Sequence, residues 1–93
     1  MIRSFGDKET ESVFYEGKSR KLPSEITAKA SKLLDRIEAA DTVDFLKLPP
    51  SHRLHKLSGE LSDFWSISIN MQWRIIFRFE NNDAYDVEIV DYH

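Results

Sequence analysis

The sequence predicts an α+β fold, in which an N-terminal strand and helices pack on one face of a mostly antiparallel C-terminal sheet. Helical periodicity is confined to the first half of the chain and ends at Pro49 and Pro50. Alternation of apolar and polar residues begins after these prolines, and turn-forming segments separate the alternating stretches. Helices on one face leave the other face partly open, and a functional site is expected there.

The chain is predicted to begin with a short strand and a short helix. Residues 1–5 (MIRSF) alternate apolar and polar side chains, which predicts a strand. Asp7 is suited to cap a helix that runs to about Glu16, because its carboxylate can accept a hydrogen bond from the first turn. Gly17 is suited to end that helix, since glycine adopts the left-handed conformation without strain.

A longer helix follows a basic connector, residues 18–23 (KSRKLP). Ser24 is expected at its N-cap. Helical spacing then places one apolar stripe at Ile26, Ala30, Leu33, Leu34 and Ile37. Lys29, Lys32 and Arg36 lie off this stripe, on the side that faces water. A further helical turn is predicted from Asp41, with Asp44 at the capping-box position.

The second half of the chain predicts an antiparallel meander. The predicted strands cover residues 53–58, 64–69, 73–79 and 84–93. Residues 70–72 form a tight connection, and residues 80–83 (ENND) form a hairpin turn, because asparagine tolerates the left-handed conformation. In the third strand Arg74, Ile76 and Arg78 lie on the face opposite to the large apolar side chains.

The composition predicts a single globular domain, residues 1–93. Hydrophobic residues make up 41% of the chain and aromatic residues 12%, which is typical of a protein with its own core. The sequence has no cysteine, which excludes disulfides and thiolate metal sites. No apolar run approaches the ~20 residues of a membrane span, and the start lacks the apolar core of a signal peptide. A cytoplasmic protein without membrane contact is therefore expected.

Charge is divided unevenly along a chain whose net charge is −3. Residues 17–58 contain nine Lys/Arg and five Asp/Glu, whereas residues 59–93 contain two and seven. The negative balance argues against a surface that binds nucleic acid everywhere. Contact with a polyanion is expected on the basic middle segment, and a mixed solvated surface is the alternative.

Five residues could carry chemistry once the side chains explained by the core are set aside: His55, Arg74, Asp91, Tyr92 and His93. These residue types suit cleavage of a phosphodiester through the neighbouring 2′-hydroxyl, which needs a base, a cation for the phosphorane oxygens and an acid for the leaving oxygen. An edge histidine, an arginine that balances acids and a polar tail are the structural alternatives. Irregular spacing makes a poor metal site, so neither a metal nor another cofactor is expected.

Four segments of the chain resemble HigB-type toxins of the RelE superfamily. They are MIRSF at the start, RLHKLSG in the middle, FWSISINMQWRIIF, and DAYDVEIVDYH at the end. The resemblance covers the whole chain and is most specific from Arg53 to His93. It implies a RelE-like compact sheet with helices on one side, and a bacterial toxin that enters the ribosomal A site and cuts mRNA there.

The resemblance also implies partners and residue roles. A HigA-type helix-turn-helix antitoxin would hold the toxin inactive, and operator DNA would be contacted only through the toxin–antitoxin complex. His55 or Asp91 would accept the 2′-hydroxyl proton, and Arg74 would hold the phosphate. His93 or Tyr92 would protonate the leaving oxygen. The chain ends on DYH, under this resemblance, because these residues form half of the active site.

Two departures from the family predict a mild toxin, weakened in rate or in affinity. The family often has a lysine just before the glycine of its L-x-G segment, where this chain has Ser58. On a regular strand Lys56 would share the side of Ser58 and could replace that lysine. The acidic balance is also unusual for contact with ribosomal RNA. That contact is expected on Lys18, Arg20, Lys21, Lys29, Lys32, Arg36, Arg53 and Lys56.

Two other interpretations stay open at this point. A catalytically weak or inactive protein of the same fold could serve only as the partner of the antitoxin in operator repression, and it would tolerate loss of His93. An unrelated α+β domain could carry His93 as the remnant of an affinity tag, although the DYH ending argues against this. Growth arrest on expression, with and without His93, separates the enzyme from the repression partner.

Overall fold

A computed structural model describes residues 1–91 of the protein, so Tyr92 and His93 lie outside the described part. Two helices come first, α1 (Lys8–Glu16) and α2 (Ser24–Ala39). The strands are β1 (His55–Lys56), β2 (Phe64–Ser68), β3 (Trp73–Glu80) and β4 (Asp83–Asp91). They form one antiparallel sheet in the order β1-β2-β3-β4. The α+β prediction is confirmed.

The ends of α1 are those that the sequence predicts. The Asp7 side chain accepts a hydrogen bond of 2.9 Å from the Thr10 backbone N–H. Gly17 adopts the left-handed conformation at φ 77° and donates its N–H to the Val13 carbonyl. Thr10 is fully buried, and its hydroxyl accepts a hydrogen bond of 2.8 Å from the Ile89 N–H. The cap therefore also fixes the residue that ties α1 to β4.

The prediction that Ser24 caps α2 is wrong. Pro23 occupies the N-cap, and Ser24 is already helical, with its carbonyl accepting a bond of 3.1 Å from the Thr27 hydroxyl. Proline with φ −57° sets the entry into the helix without a side-chain cap. The apolar stripe is confirmed, since its five members are all buried.

A short 3-10 segment replaces the further helical turn, and the strand predicted for residues 53–58 is shorter than expected. Val43–Leu46 is a 3-10 segment with Thr42 at its N-cap and no side-chain cap, so the capping box is not formed. Pro50–His52 is a second such segment, and Arg53 follows it in the left-handed conformation at φ 49°. The extended backbone predicted for 53–58 therefore shrinks to the two residues of β1.

The N-terminal segment lies along the free edge of β4. Two parallel bridges join Ile2 to Ala84 and Phe5 to Val87, so the predicted first strand pairs with the sheet only at these points. Backbone bonds of 2.7–3.1 Å accompany both bridges. None of the helices within residues 1–91 has the length and apolar character needed to cross a membrane.

The core lies between the helices and one face of the sheet. Ile67, Ile75, Phe77, Val87 and Ile89 are buried there, packed in one cluster with the apolar stripe of α2. Between β3 and β4, Asn81 and Asn82 are left-handed at φ 50° and 70°, which confirms the predicted turn. The opposite face carries the side chains that alternate with the core residues, and it forms the candidate site described below.

The cap of α1 gives a direct test of this reading of the fold. Asp7→Ala should lower the free energy of unfolding by about 1 kcal/mol, which lowers Tm by roughly 4–8 °C in a domain of this size. Chemical denaturation measures the loss. Asp41→Ala removes an equally charged but exposed side chain and serves as the matched control. Equal stability of the two variants would contradict the role assigned to the cap.

Candidate active site

One end of the sheet gathers two of the predicted site residues. β3 begins where β4 ends, because Trp73 pairs with Asp91 and Arg74 pairs with Val90. β2 ends at the same place, because Ser68 pairs with Arg74. The antiparallel meander thus brings Arg74 and Asp91 to the same end of the sheet.

Arg74 and Asp91 lie on opposite faces of the sheet. Residues directly opposite each other in an antiparallel pair share a face, so Asp91 shares the face of Trp73, while Arg74 shares the face of Ser68 and Val90. The Asp91 carboxylate also accepts a hydrogen bond of 3.2 Å from the Gln72 side-chain amide. Asp91 is therefore held away from the face that carries Arg74.

His55 lies on the same face as Arg74. It pairs with Ser66, which pairs in turn with Ile76 two residues beyond Arg74. One strand separates the backbones of β1 and β3, which places them about 10 Å apart. The His55 side chain is exposed.

One contact fixes the tautomer of His55. Its Nδ1 lies 2.9 Å from the Arg53 carbonyl oxygen. A carbonyl only accepts hydrogen bonds, so Nδ1 carries the proton and donates it to this bond. In the neutral ring the lone pair is then on Nε2. His55 is thus prepared to accept a proton at one known atom.

Arg74 is held in a partly buried position. Its Nε and Nη1 atoms are both shielded from solvent. A guanidinium presents its donors in a rigid plane, so shielding two of its nitrogens also fixes the direction of the remaining one. The result is a positive charge with a defined orientation at the end of the sheet.

A hollow of about 390 Å³ lies beside Arg74. We call it the cationic hollow. Its polar lining consists of Lys29, Ser51, Arg53, Ser68, Asn70 and Arg74. Three positive charges meet there, one from α2, one after the Pro50–His52 segment and one from β3, and none of the described lining residues carries a carboxylate. The lining therefore suits an anion.

Asn70 holds the turn that forms one wall of the cationic hollow. Its side-chain oxygen accepts hydrogen bonds from the N–H groups of Gln72, at 2.8 Å, and Trp73, at 2.7 Å. The Ser68 hydroxyl donates to the Asn70 carbonyl at 2.8 Å. These bonds confirm the predicted tight connection and place Met71, which is 96% exposed, at the rim.

His52 is a buried residue that the sequence analysis missed. It is 8% exposed, and its Nδ1 has no hydrogen-bond partner among residues 1–91. Burial lowers the pKa of His52, and the positive charges of Arg36 and Lys29 lower it further. No sequence signal marks this residue, because its burial depends on the tertiary packing of the Pro50–His52 segment, which contacts β2.

Arg36 and Lys56 are predicted RNA-binding residues that make contacts within the protein. Arg36 donates through Nη2 to the carbonyls of Phe45, at 3.1 Å, and Leu48, at 2.7 Å. It thereby holds the loop that leads to Pro50–His52. Lys56 lies 5.2 Å from the centre of the Trp65 ring, on the face opposite to His55. This position does not bring Lys56 to the side of the sheet that carries Arg74.

The other predicted RNA-binding residues fall into two places. Lys29 and Arg53 line the cationic hollow, and Lys32 is exposed one turn further along α2. Lys18 and Arg20 line a separate depression of about 440 Å³ with Ser12 and Glu16. Neighbouring Lys21 pairs with Glu9 at 3.2 Å.

Two further predictions concern the terminal residues and metal binding. Tyr92 and His93 lie outside the described residues, so their predicted roles stay predictions. Among residues 1–91 the structure contains no group of three His, Asp or Glu side chains placed to hold a metal ion.

Comparison with known proteins identifies the family. Residues 3–93 match the model of the HigB-like toxins, described as the RelE-like toxin of the type II toxin-antitoxin system HigB. The chain belongs to this family. This confirms the resemblance to HigB-type toxins that four sequence segments indicated. Membership of a toxin-antitoxin family implies an antitoxin partner.

Relatives cover most of this HigB-like chain. The Endoribonuclease HigB of Proteus vulgaris is 33% identical over 93 residues, the full length of both chains. Toxin HigB-1 of Vibrio cholerae serotype O1 is 34% identical over 85 residues, 90% of each chain. A YoeB/ParE toxin structure from Agrobacterium tumefaciens matches at 18% identity and a TM-score of 0.36, covering 68% of this chain and 76% of that one. That structural likeness is too weak to bear on the fold.

Burial of His52 predicts a pH-dependent stability. Because its pKa is lowered, the unfolded chain binds more protons than the folded one between the folded pKa and the ordinary value near 6.5. The free energy of unfolding should therefore fall as the pH drops through this window. His52→Gln should reduce the slope, as measured by urea denaturation between pH 7.5 and 5.

Glu88 provides the control for this measurement. Burial raises its pKa first, and Asp7 and Asp86 raise it further, so its contribution to stability grows as the pH falls. Glu88→Gln should consequently steepen the loss on acidification, opposite to the effect of His52→Gln. Parallel pH profiles for the wild type and His52→Gln would contradict the assignment to His52.

Proposed function

We propose that the protein is an endoribonuclease that cuts mRNA in the ribosomal A site, by attack of a 2′-hydroxyl on the adjacent phosphate and without a metal ion. The observation that carries the proposal is the His55 ring, with its proton on Nδ1 and its acceptor at Nε2, on the sheet face of Arg74. A base and a cation on one face are the first two requirements of this reaction.

The proposed reaction begins with proton transfer to His55. Nε2 takes the proton of the 2′-hydroxyl, and the oxygen attacks the neighbouring phosphorus. Arg74 stabilises the negative charge that develops on the non-bridging oxygens. The bond to the 5′-oxygen then breaks, and His93 or Tyr92 donates the proton that this oxygen needs. The products are a 2′,3′-cyclic phosphate and a free 5′-hydroxyl.

The geometry favours His55 over Asp91 as the base. Asp91 lies on the opposite face from Arg74, and its carboxylate is engaged by Gln72. A proton acceptor on that face is separated from the phosphate that Arg74 would hold by the sheet itself. Asp91 suits a positioning role at the end of β4.

The distribution of charge supports binding to ribosomal RNA despite the net negative charge. Acids at the hairpin end of the sheet are paired within the protein: Arg78 contacts Asp86 at 2.9 Å and Glu80 at 3.1 Å. Arg3 contacts Asp83 at 3.0 Å. β3 spans roughly 23 Å between its two ends, more than two Debye lengths at physiological salt. Salt therefore screens the repulsion between these acids and an RNA bound at the Arg74 end of the sheet. This argues against a loss of affinity for ribosomal RNA.

The family and its relatives support the remaining parts of the proposal. A relative named as an endoribonuclease aligns over the whole chain. We further propose that the antitoxin is of the HigA type with a helix-turn-helix domain, and that operator DNA is bound through the toxin–antitoxin complex. A substrate on the ribosome places the protein in the cytoplasm.

A coupled translation reaction tests the proposal. Full-length protein is added, and mRNA ends are mapped by primer extension. Cuts at A-site codons are expected. His55→Gln should slow cleavage by about 10²- to 10⁴-fold, the usual contribution of a positioned base. A chain that ends at Asp91 should be inactive, since it lacks the proposed acid.

Controls separate catalysis from folding. Lys8→Ala removes an exposed charge on α1 and should leave the cleavage rate unchanged. Circular dichroism verifies that each variant is folded. Intact mRNA with active translation and the full-length protein would refute the nuclease and favour a role only as the antitoxin's partner in operator repression. Cleavage by His55→Gln at the wild-type rate would refute the assigned base.

A further inference from the structure

We propose that the cationic hollow is a phosphate subsite that binds the RNA linkage next to the one being cut. The inference rests on the proposed function, since it assigns a second contact to the same RNA substrate. Its ligand is a phosphodiester group, and its direct contacts are Lys29 and Arg53 together with the hydroxyl of Ser51.

The exposed positive charges of the cationic hollow favour binding of an anion from outside the protein. Lys29 and Arg53 are exposed, and neither forms an ion pair with the described residues. Their two positive charges lie around a volume of about 390 Å³ and repel each other. A phosphodiester relieves this repulsion and offers oxygens to the Lys29 ammonium and the Arg53 guanidinium.

Within residues 1–91, the lining of the cationic hollow contains no base for the cleavage reaction. Its described lining contains cations, hydroxyls and an amide, and none of these accepts the proton of a 2′-hydroxyl at neutral pH. His55 and Asp91 do not belong to the lining. The phosphate that fills the cationic hollow is therefore bound without being cut, and the scissile phosphate lies on the His55 side of Arg74.

The backbone of Arg53 joins the two places. Arg53 is left-handed at φ 49°, an uncommon conformation for a residue with a side chain, and its N–H donates to the Pro50 carbonyl at 3.0 Å. Its own carbonyl accepts the bond from His55 Nδ1. One residue thus lines the cationic hollow with its side chain and orients the base with its backbone. A phosphate bound there sets the position of the RNA relative to His55.

Neutral linkages test this assignment one phosphate at a time. The probe is an oligoadenylate of four residues with 2′-deoxyribose at the cleavage position, so that attack is blocked. A series of probes carries one uncharged methylphosphonate linkage at each position in turn. Binding to the full-length protein is followed by NMR titration at low salt for the wild type, Lys29→Ala, Arg53→Ala and the control Lys8→Ala.

The expected result is a coupling specific to one linkage. Lys29→Ala and Arg53→Ala should each weaken binding of the all-phosphate probe by about 3- to 10-fold, whereas Lys8→Ala should not. This loss of affinity in Lys29→Ala and Arg53→Ala should disappear when the neutral linkage is the neighbour of the blocked cleavage linkage. It should persist when any other linkage is neutral. Inorganic phosphate should shift the amide signals of Ser51, Arg53 and Asn70 in the wild type.

The outcomes separate this inference from the proposed function. Equal losses for Lys29→Ala, Arg53→Ala and Lys8→Ala, or losses independent of which linkage is neutral, would overturn the subsite. Coupling to the deoxyribose linkage itself would also overturn it, because the cationic hollow would then hold the scissile phosphate. Cleavage in the translation reaction is measured separately, so linkage-specific binding without cleavage supports the subsite and refutes the nuclease.

Discussion

The register between β3 and its two neighbours is the constraint on which the rest of the structure depends. Ile75 and Phe77 are fully buried, and between and beside them Arg74 and Ile76 face the opposite side. A slip of one residue would exchange these faces and drive a guanidinium into the core without a partner, which costs several kcal/mol. The same pairing sets Arg74 opposite Ser68 and aligns the site with the end of β4. Core packing and the placement of functional groups are thus one constraint.

Charge is organised along the sheet and not along the chain alone. The acidic C-terminal third folds so that most of its strand acids lie towards the hairpin, where arginines neutralise them. The basic middle segment supplies Lys29 and Arg53 to the other end. The basic block at residues 17–58 and the acidic block at residues 59–93 are visible in the sequence. Only the fold shows how far apart their charges lie. Distance combined with screening by salt lets a protein of net charge −3 carry a cationic surface at one end of its sheet.

Sequence reasoning succeeded where a local pattern has a single physical cause. Alternation and helical spacing report burial directly, so the strands, the α2 stripe and the caps of α1 were predicted. It failed where tertiary contacts decide. Arg53 is left-handed just before the short strand β1, tertiary packing buries His52, and the cationic hollow arises from three distant segments. The sequence supplied the residue types of the site, and the fold placed His55 and Arg74 on one face and Asp91 on the other.

The parallel pairing of the N-terminal segment with β4 has a consequence for solubility. A free sheet edge is a template for intermolecular strand addition, which leads to aggregation. Here residues 1–6 cover one edge, and the Ile2 N–H on this covering segment is itself engaged by the Glu38 carboxylate at 2.7 Å. The other edge is β1, only two residues long. Among residues 1–91, the covering segment and the shortness of β1 leave little unpaired backbone at either edge, which protects a toxin released from its antitoxin against edge-to-edge association.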